Sequence, residues 1–410
     1  MIIDDYKNGY GLDDETYEIL LERLYGYEEY YYYKQDKHYE DYIFITKELD
    51  KIRYNKPMDV AYKNAIIGWY ISFKNLKRLI NYKQTYFLIT DACNLKCKHC
   101  YRQEMPRNGN YMSYDEFVDG YYKVLEISKH FVHYNKISTS LNHIVGITGG
   151  ESTLNADLPK MIDFLNKQNV NIQLTTNGIR IPDNVLCSLN KGKNNEVAVS
   201  FDGMKETHDS IRGCGSFEKT ISSIDKIRKY DNVSYMYIYT LNTKNYKEFP
   251  KLKSYIKNIY GDVWCKGVLY NDQFTHNEFT SLKHDRLMLE EGLSYIRDGS
   301  LNKNGLFNNS NGTKLFINYD GNIMLSPYYY TKNQYIANIF NDDMDTILHN
   351  LKKYIIKVRS VPVYCFDCKS VDFCLGGLSK ENLKRYGKYN LEDDCCRILE
   401  KKEVGDMYEV

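Results

Sequence analysis

The chain has 410 residues, a formal net charge of +1 and eleven cysteines. That length allows two or three domains with a sizeable core, and the balanced charge excludes a generally basic nucleic-acid footprint. No run of about eighteen apolar residues offers a membrane span and the acidic start does not read as a signal peptide, so a cytoplasmic protein is expected, its cysteines serving metal or redox chemistry rather than a disulfide framework.

Residues 1–50 hold fourteen Asp/Glu against five Lys/Arg, whereas residues 51–84 hold one acidic residue, Asp59, against eight basic ones. Helical spacing is expected around Glu15–Tyr25, Tyr39–Ile52 and Met58–Tyr82, so residues 1–83 read as a helical N-terminal extension. From Thr85 the texture changes to short apolar runs alternating with amphipathic stretches. Strands are expected at Tyr86–Thr90, His143–Thr148, Asn171–Thr176, Glu196–Asp202, Ser234–Leu241 and Val263–Leu269. Helices are expected between them, among others at Ser113–Tyr134, Asp157–Gln168 and Ser216–Tyr230. This alternation predicts an α/β fold over residues 84–270, its parallel sheet open or closed into a partial (β/α)6 TIM-like barrel. Chemistry then belongs at the C-terminal strand ends. Residues 271–310 read as a connecting segment with a helix near His284–Arg297. Residues 311–410 open with a hairpin signal (Lys314–Asn318, Asp320-Gly321, Asn322–Leu325) and close as a small cysteine-rich domain.

Directly after the first strand stands Thr90-Asp-Ala-Cys93-Asn-Leu-Lys-Cys97-Lys-His-Cys100-Tyr101. Three thiolates at this spacing can hold three irons of a cubane and leave the fourth open to a chelating cofactor. A zinc site completed by a distant fourth ligand is the alternative on spacing alone. Further strand ends carry Gly149-Gly150-Glu151, Thr176-Asn177-Gly178, Ser200-Phe-Asp202-Gly203 and, beyond them, His208-Asp-Ser-Ile-Arg212-Gly213.

With these motifs in this order, the sequence resembles the radical S-adenosylmethionine (radical SAM) superfamily over about residues 84–270. The resemblance implies that Cys93, Cys97 and Cys100 ligate a [4Fe–4S] cluster to which S-adenosylmethionine binds. It places His99 near the adenine, and Gly149, Gly150 and Glu151 against the cofactor's amino group. Asn177 joins the same cofactor site, Ser200 and Asp202 serve the ribose hydroxyls or nearby atoms, and the segment from His208 resembles a loop of the family whose arginine, here Arg212, serves the methionine carboxylate. Taken alone, Arg212 reads as a surface salt bridge.

The tail carries Cys365-x2-Cys368-x5-Cys374 and then Cys395-Cys396, which resembles the SPASM extension of radical SAM enzymes that modify peptides and proteins. Ser326 and Leu378 stand where the full pattern has cysteines of one auxiliary cluster. The resemblance therefore implies a single auxiliary [4Fe–4S] cluster held by Cys365, Cys368, Cys374 and one of the final pair, Cys396 being favoured over Cys395. Zinc is the alternative occupant. The resemblance further implies a precursor-peptide substrate and an external one-electron donor of flavodoxin or ferredoxin type. It implies neither a nucleic-acid nor a membrane partner. The extension at residues 1–83 is open between leader-peptide recognition and a solvated cover. Two further readings stay open, a small-molecule radical SAM enzyme and a non-enzymatic iron–sulfur scaffold.

Overall fold

A computed structural model describes residues 84–100, 102, 108–135, 144–261, 263, 265–269, 314–324 and 335–359. The expected N-terminal helices, the connecting helix and the tail cysteines lie outside the described residues.

Among the described residues nine strands form one sheet in the order β6-β5-β4-β3-β2-β1-β7-β8-β9: β1 Gln84–Leu88, β2 Ile144–Thr148, β3 Asn171–Thr176, β4 Asn195–Ser200, β5 Val233–Leu241, β6 Cys265–Leu269, β7 Lys314–Asn318, β8 Asn322–Met324 and β9 Ala337–Asn338. All pairings from β6 to β7 are parallel, and β8 and β9 add antiparallel strands at one edge. Among the described residues β6 and β9 are not paired with each other. The hairpin expected to open the C-terminal unit forms, and its first strand lies beside β1, continuous with the main sheet.

Seven helices accompany the sheet in the described residues: α1 Tyr114–Asn135, α2 Leu158–Lys167, α3 Asp183–Asn190, α4 Lys205–Arg212, α5 Ser216–Ile227, α6 Phe249–Tyr260 and α7 Met344–Arg359. α1 starts with a reciprocal cap. The Glu116 amide donates to Ser113 Oγ at 3.3 Å, while the Ser113 amide donates to the Glu116 carboxylate at 2.8 Å. α2 buries Leu158, Met161, Ile162 and Leu165, the i, i+3, i+4, i+7 stripe of a helix lying on a core.

Strand alternation sorts the two faces. Phe87, Val145, Ile147, Ile172, Leu174, Val197 and Val199 point to the helices and join one apolar core with α1, α2 and α3. Each such fully buried side chain contributes about 1.5–3 kcal/mol. The opposite face carries Tyr86, Gln173 and Glu196, joined by hydrogen bonds from Tyr86 Oη to Gln173 (2.9 Å) and from Gln173 Nε2 to Glu196 (2.7 Å).

Two expectations are corrected. The fourth strand ends at Ser200, so Asp202 lies two residues past the ladder. The stretch around His208–Arg212, read as a loop, is the helix α4. Its composition hides it, since among its eight residues only Ile211 is a buried apolar side chain.

Candidate active site

The cysteine loop leaves the C-terminal end of β1 and is anchored before the first cysteine is reached. Ile89 N donates to Thr148 O (2.9 Å), extending the sheet by one bond. The buried Asp91 accepts from the backbone amide and side chain of Asn110 at 2.7 and 2.8 Å, tying the loop to the segment that leads into α1.

The Gly149-Gly150-Glu151 turn, at the end of β2, closes against this same loop. Gly150 N donates to Thr90 O (2.8 Å) and Glu151 N to Ala92 O (2.7 Å). A Cβ on Gly150 would stand 2.2 Å from Ala92 O, and one on Gly149, whose φ is +149°, would stand 2.5 Å from Thr90 O. The glycines therefore permit backbone to approach the cysteine loop. The Glu151 carboxylate is buried. Its Oε1 accepts from Thr153 N, Thr153 Oγ1 (2.7 Å) and Thr176 Oγ1 (2.8 Å), and its Oε2 accepts from Asn177 N (2.7 Å). Burial pushes its pKa up, and the bonds from Asn177, Thr153 and Thr176 offset part of that rise. Oε2 retains a lone pair for one further donor.

Asn177, just past β3, reaches back to the loop. Its Nδ2 donates to Asn94 Oδ1 at 2.8 Å and stands 3.9 Å from Cys93 Sγ. From α4, Lys98 N donates to Ile211 O (2.9 Å), so the helix end is docked on the loop between its second and third cysteines. Arg212, the last residue of α4, points Nη1 at Cys97 Sγ from 3.9 Å and gives Nε to Asp202 Oδ2 at 2.5 Å.

Asp202 is the centre of this arrangement. It is fully buried, its Oδ2 also lies 3.1 Å from His99 Nε2, and its Oδ1 accepts from Thr240 N at 2.9 Å. Burial alone would push the Asp202 carboxyl up. Arg212 and then His99 outweigh it and hold the group well below the usual carboxylate range. Burial pushes the Cys97 thiol up to about 11, with Arg212 pulling the other way and Cys100, Asp202 and Cys93 adding to the rise.

Cys93, Cys97, Cys100, His99, Asn177, Asp202 and Arg212 are thus brought to one end of the sheet, joined by Gly149, Gly150 and Glu151. Ser200, half-buried, ends β4 at the same end. Sequence reasoning gave no role to His208, which is buried and accepts from Asp202 N at Nδ1 (3.2 Å). Burial and then the charge of Arg212 push its pKa down to about 3. The signal was present in the spacing, because His208 and Arg212 are four residues apart and share a helix face. Asp91, likewise missed, stands two residues before Cys93.

Among the described residues no three His, Cys, Asp or Glu side chains converge on a single-ion site. The fit to an iron–sulfur cluster rests on the chemistry of the donor set: three soft thiolates on one loop, with N–H groups aimed at two of them.

The sequence profile of the Radical SAM superfamily matches residues 87–256. The mycofactocin maturase MftC of Mycolicibacterium smegmatis is 29% identical over 140 residues, 34% of this chain and 32% of that protein. The chain thus spans about a third of the length of the curated relatives it matches first. The Fe-coproporphyrin III synthase of Methanosarcina barkeri is 21% identical over 77% of this chain and 88% of its own. A structure of Streptococcus suis SuiB bound to precursor peptide SuiA superposes with a TM-score of 0.61 at 17% identity, covering 86% of this chain and 88% of that one. This last likeness shows the fold.

Proposed function

We propose that the chain, whose residues 87–256 match the Radical SAM superfamily, is a radical SAM peptide maturase acting on a ribosomally made precursor. The observation that carries the reading is the cysteine loop itself, gripped at one sheet end by groups from β2, β3 and α4. Cys93, Cys97 and Cys100 would hold the cluster. When bound, the cluster would supply the one-electron reduction, fed by a flavodoxin- or ferredoxin-type donor, that cleaves S-adenosylmethionine for removal of hydrogen from a C–H bond.

The chain's own residues orient and enclose. Glu151 keeps one carboxylate lone pair for an incoming amino group, and Ser200 offers a hydroxyl at the next strand end. Asp202, His99 and Arg212 hold the loop against α4 through direct contacts. The tail extends the proposal to one auxiliary [4Fe–4S] cluster on Cys365, Cys368, Cys374 and Cys396 or Cys395, and residues 1–83 to leader recognition. Cytoplasmic residence belongs to the same reading. No helix among the described residues is long and apolar enough to cross a membrane.

Relatives named as maturases support the peptide substrate. The Fe-coproporphyrin III synthase likeness, which runs over 77% of the chain, favours a small-molecule substrate as the second reading. Reduced, anaerobically reconstituted protein incubated with S-adenosylmethionine is expected to release 5′-deoxyadenosine, and the Cys93→Ala/Cys97→Ala/Cys100→Ala variant none. No product from the unaltered protein would leave an iron–sulfur scaffold. A mass change in a peptide encoded by a neighbouring short reading frame would separate peptide from small molecule.

A further inference from the structure

Two of the three loop cysteines face a nitrogen donor brought from elsewhere in the fold. Asn177 Nδ2 lies 3.9 Å from Cys93 Sγ, and Arg212 Nη1 lies 3.9 Å from Cys97 Sγ. Both distances are long for an oxygen acceptor and within reach for the larger sulfur. Neither donor is free to swing away. Asn177 is pinned at three atoms: its N to Glu151, its Nδ2 to Asn94, and its Oδ1 by the Ile179 amide at 3.0 Å. Arg212 is fixed through Nε by Asp202, and Asp202 is fixed by Thr240 N and by the docking of His208 on its own amide.

We infer that Asn177 and Arg212 are positioning residues for the cluster, donating N–H···S hydrogen bonds to the Cys93 and Cys97 thiolates and setting the potential at which it accepts its electron. The inference rests on the reading above, that this loop holds a [4Fe–4S] cluster. Hydrogen bonds to ligating sulfurs and the net charge nearby are what a protein uses to move such a potential. A donor to thiolate stabilises the more electron-rich, reduced state. Arg212 adds a charge that cannot be titrated away. Asp202 supplies the opposing charge, so the pair gives the cluster a directed hydrogen bond without a full positive field. The two members of the pair therefore act on the potential with opposite sign. A purely structural role would not produce that.

The test is a dye-mediated redox titration of anaerobically reconstituted full-length protein, without S-adenosylmethionine, followed by EPR. The relevant signal is the one missing from the Cys93→Ala/Cys97→Ala/Cys100→Ala variant. Iron and sulfide content and circular dichroism accompany each variant. R212Q is expected to shift the potential downward, N177A to shift it downward by less, and D202N to shift it upward because the guanidinium is left uncompensated. R212K, which keeps the charge and loses the planar fork, is expected to fall between R212Q and the unaltered protein. Should R212Q and D202N refuse to assemble a cluster, N177A and R212K still test the downward shift expected when a donor to sulfur is lost or weakened. Potentials unmoved on an assembled cubane, with only the affinity for S-adenosylmethionine reduced, would overturn the inference and return both residues to cofactor binding. Absence of any cubane from the unaltered loop would overturn the functional reading and the inference with it.

Discussion

The two ends of the sheet differ in chemical dress. At the N-terminal end of the strands, Gln84, Tyr86, Gln173 and Glu196 form a chain of hydrogen bonds between 2.6 and 2.9 Å, with the Lys314 ammonium 5.7 Å from the Tyr86 ring centre. At the C-terminal end, Asp202, Arg212 and His99 are buried together against the cysteine loop. The first network is mostly neutral and joins strand to strand. The second is ionic and joins strand ends to a loop and a helix. A buried ion pair is a poor way to gain stability, because its desolvation offsets much of its attraction. Its presence at one end only marks where the fold is built to hold charge rather than to be stable.

That contrast can be broken from the ionic side first. Asp202→Ala would leave Arg212 buried without its carboxylate, a loss of about 3–5 kcal/mol. Denaturant unfolding under anaerobic conditions would measure it, and a loss below about 1 kcal/mol would mean the pair behaves as an exposed one. The pH dependence sharpens the same point. His208 has a folded pKa near 3 against an ordinary value of 6.5, so the unfolded chain takes up its proton first as pH falls. Stability is full above about 6.5 and declines between there and about 3, by up to about 1.4 kcal/mol per pH unit. His208→Phe is expected to flatten that part of the profile. Asp202, shifted downward, adds its own loss only below its ordinary value of 3.8. Gly150→Ala comes next. Its Cβ would meet Ala92 O at 2.2 Å, and the strain is about 1–3 kcal/mol. It should show as lower iron content after reconstitution, since what must shift is the cysteine loop.

How much of this was legible beforehand follows the kind of signal each part sends. Strands such as Asn171–Thr176 and helices such as α1 and α2 announce themselves by period, and the structure places them within a few residues of expectation. That Cys93, Glu151, Asn177 and Asp202 would gather was legible because each stands just past a strand and parallel strands bring those ends together, whereas Arg212 arrives on α4. Their partners were not. Nothing in a linear pattern says that Arg212 bonds Asp202 ten residues earlier and Cys97 far upstream, or that Asn110 closes on Asp91. α4 was hidden by its polar composition. The pairing of β7 with β1 was hidden by more than two hundred residues of separation, which no local signal spans.

The smallest effect belongs to the neutral end, and it isolates what the comparison claims. Tyr86→Phe removes a hydroxyl that accepts from Gln84 at 2.6 Å and donates to Gln173 at 2.9 Å. The ring stays stacked on Phe316, 5.1 Å away, so packing is retained. Two amide groups lose a partner, and Gln173 keeps its bond to Glu196, which limits the cost to about 1–2 kcal/mol. Because this network touches neither the loop nor α4, release of 5′-deoxyadenosine per assembled cluster should equal that of the unaltered protein. A variant that unfolds more easily yet turns over normally would separate the two ends. A drop in turnover at unchanged cluster content would show that the neutral chain reaches the ionic end through the strands, and the division drawn between them would fail.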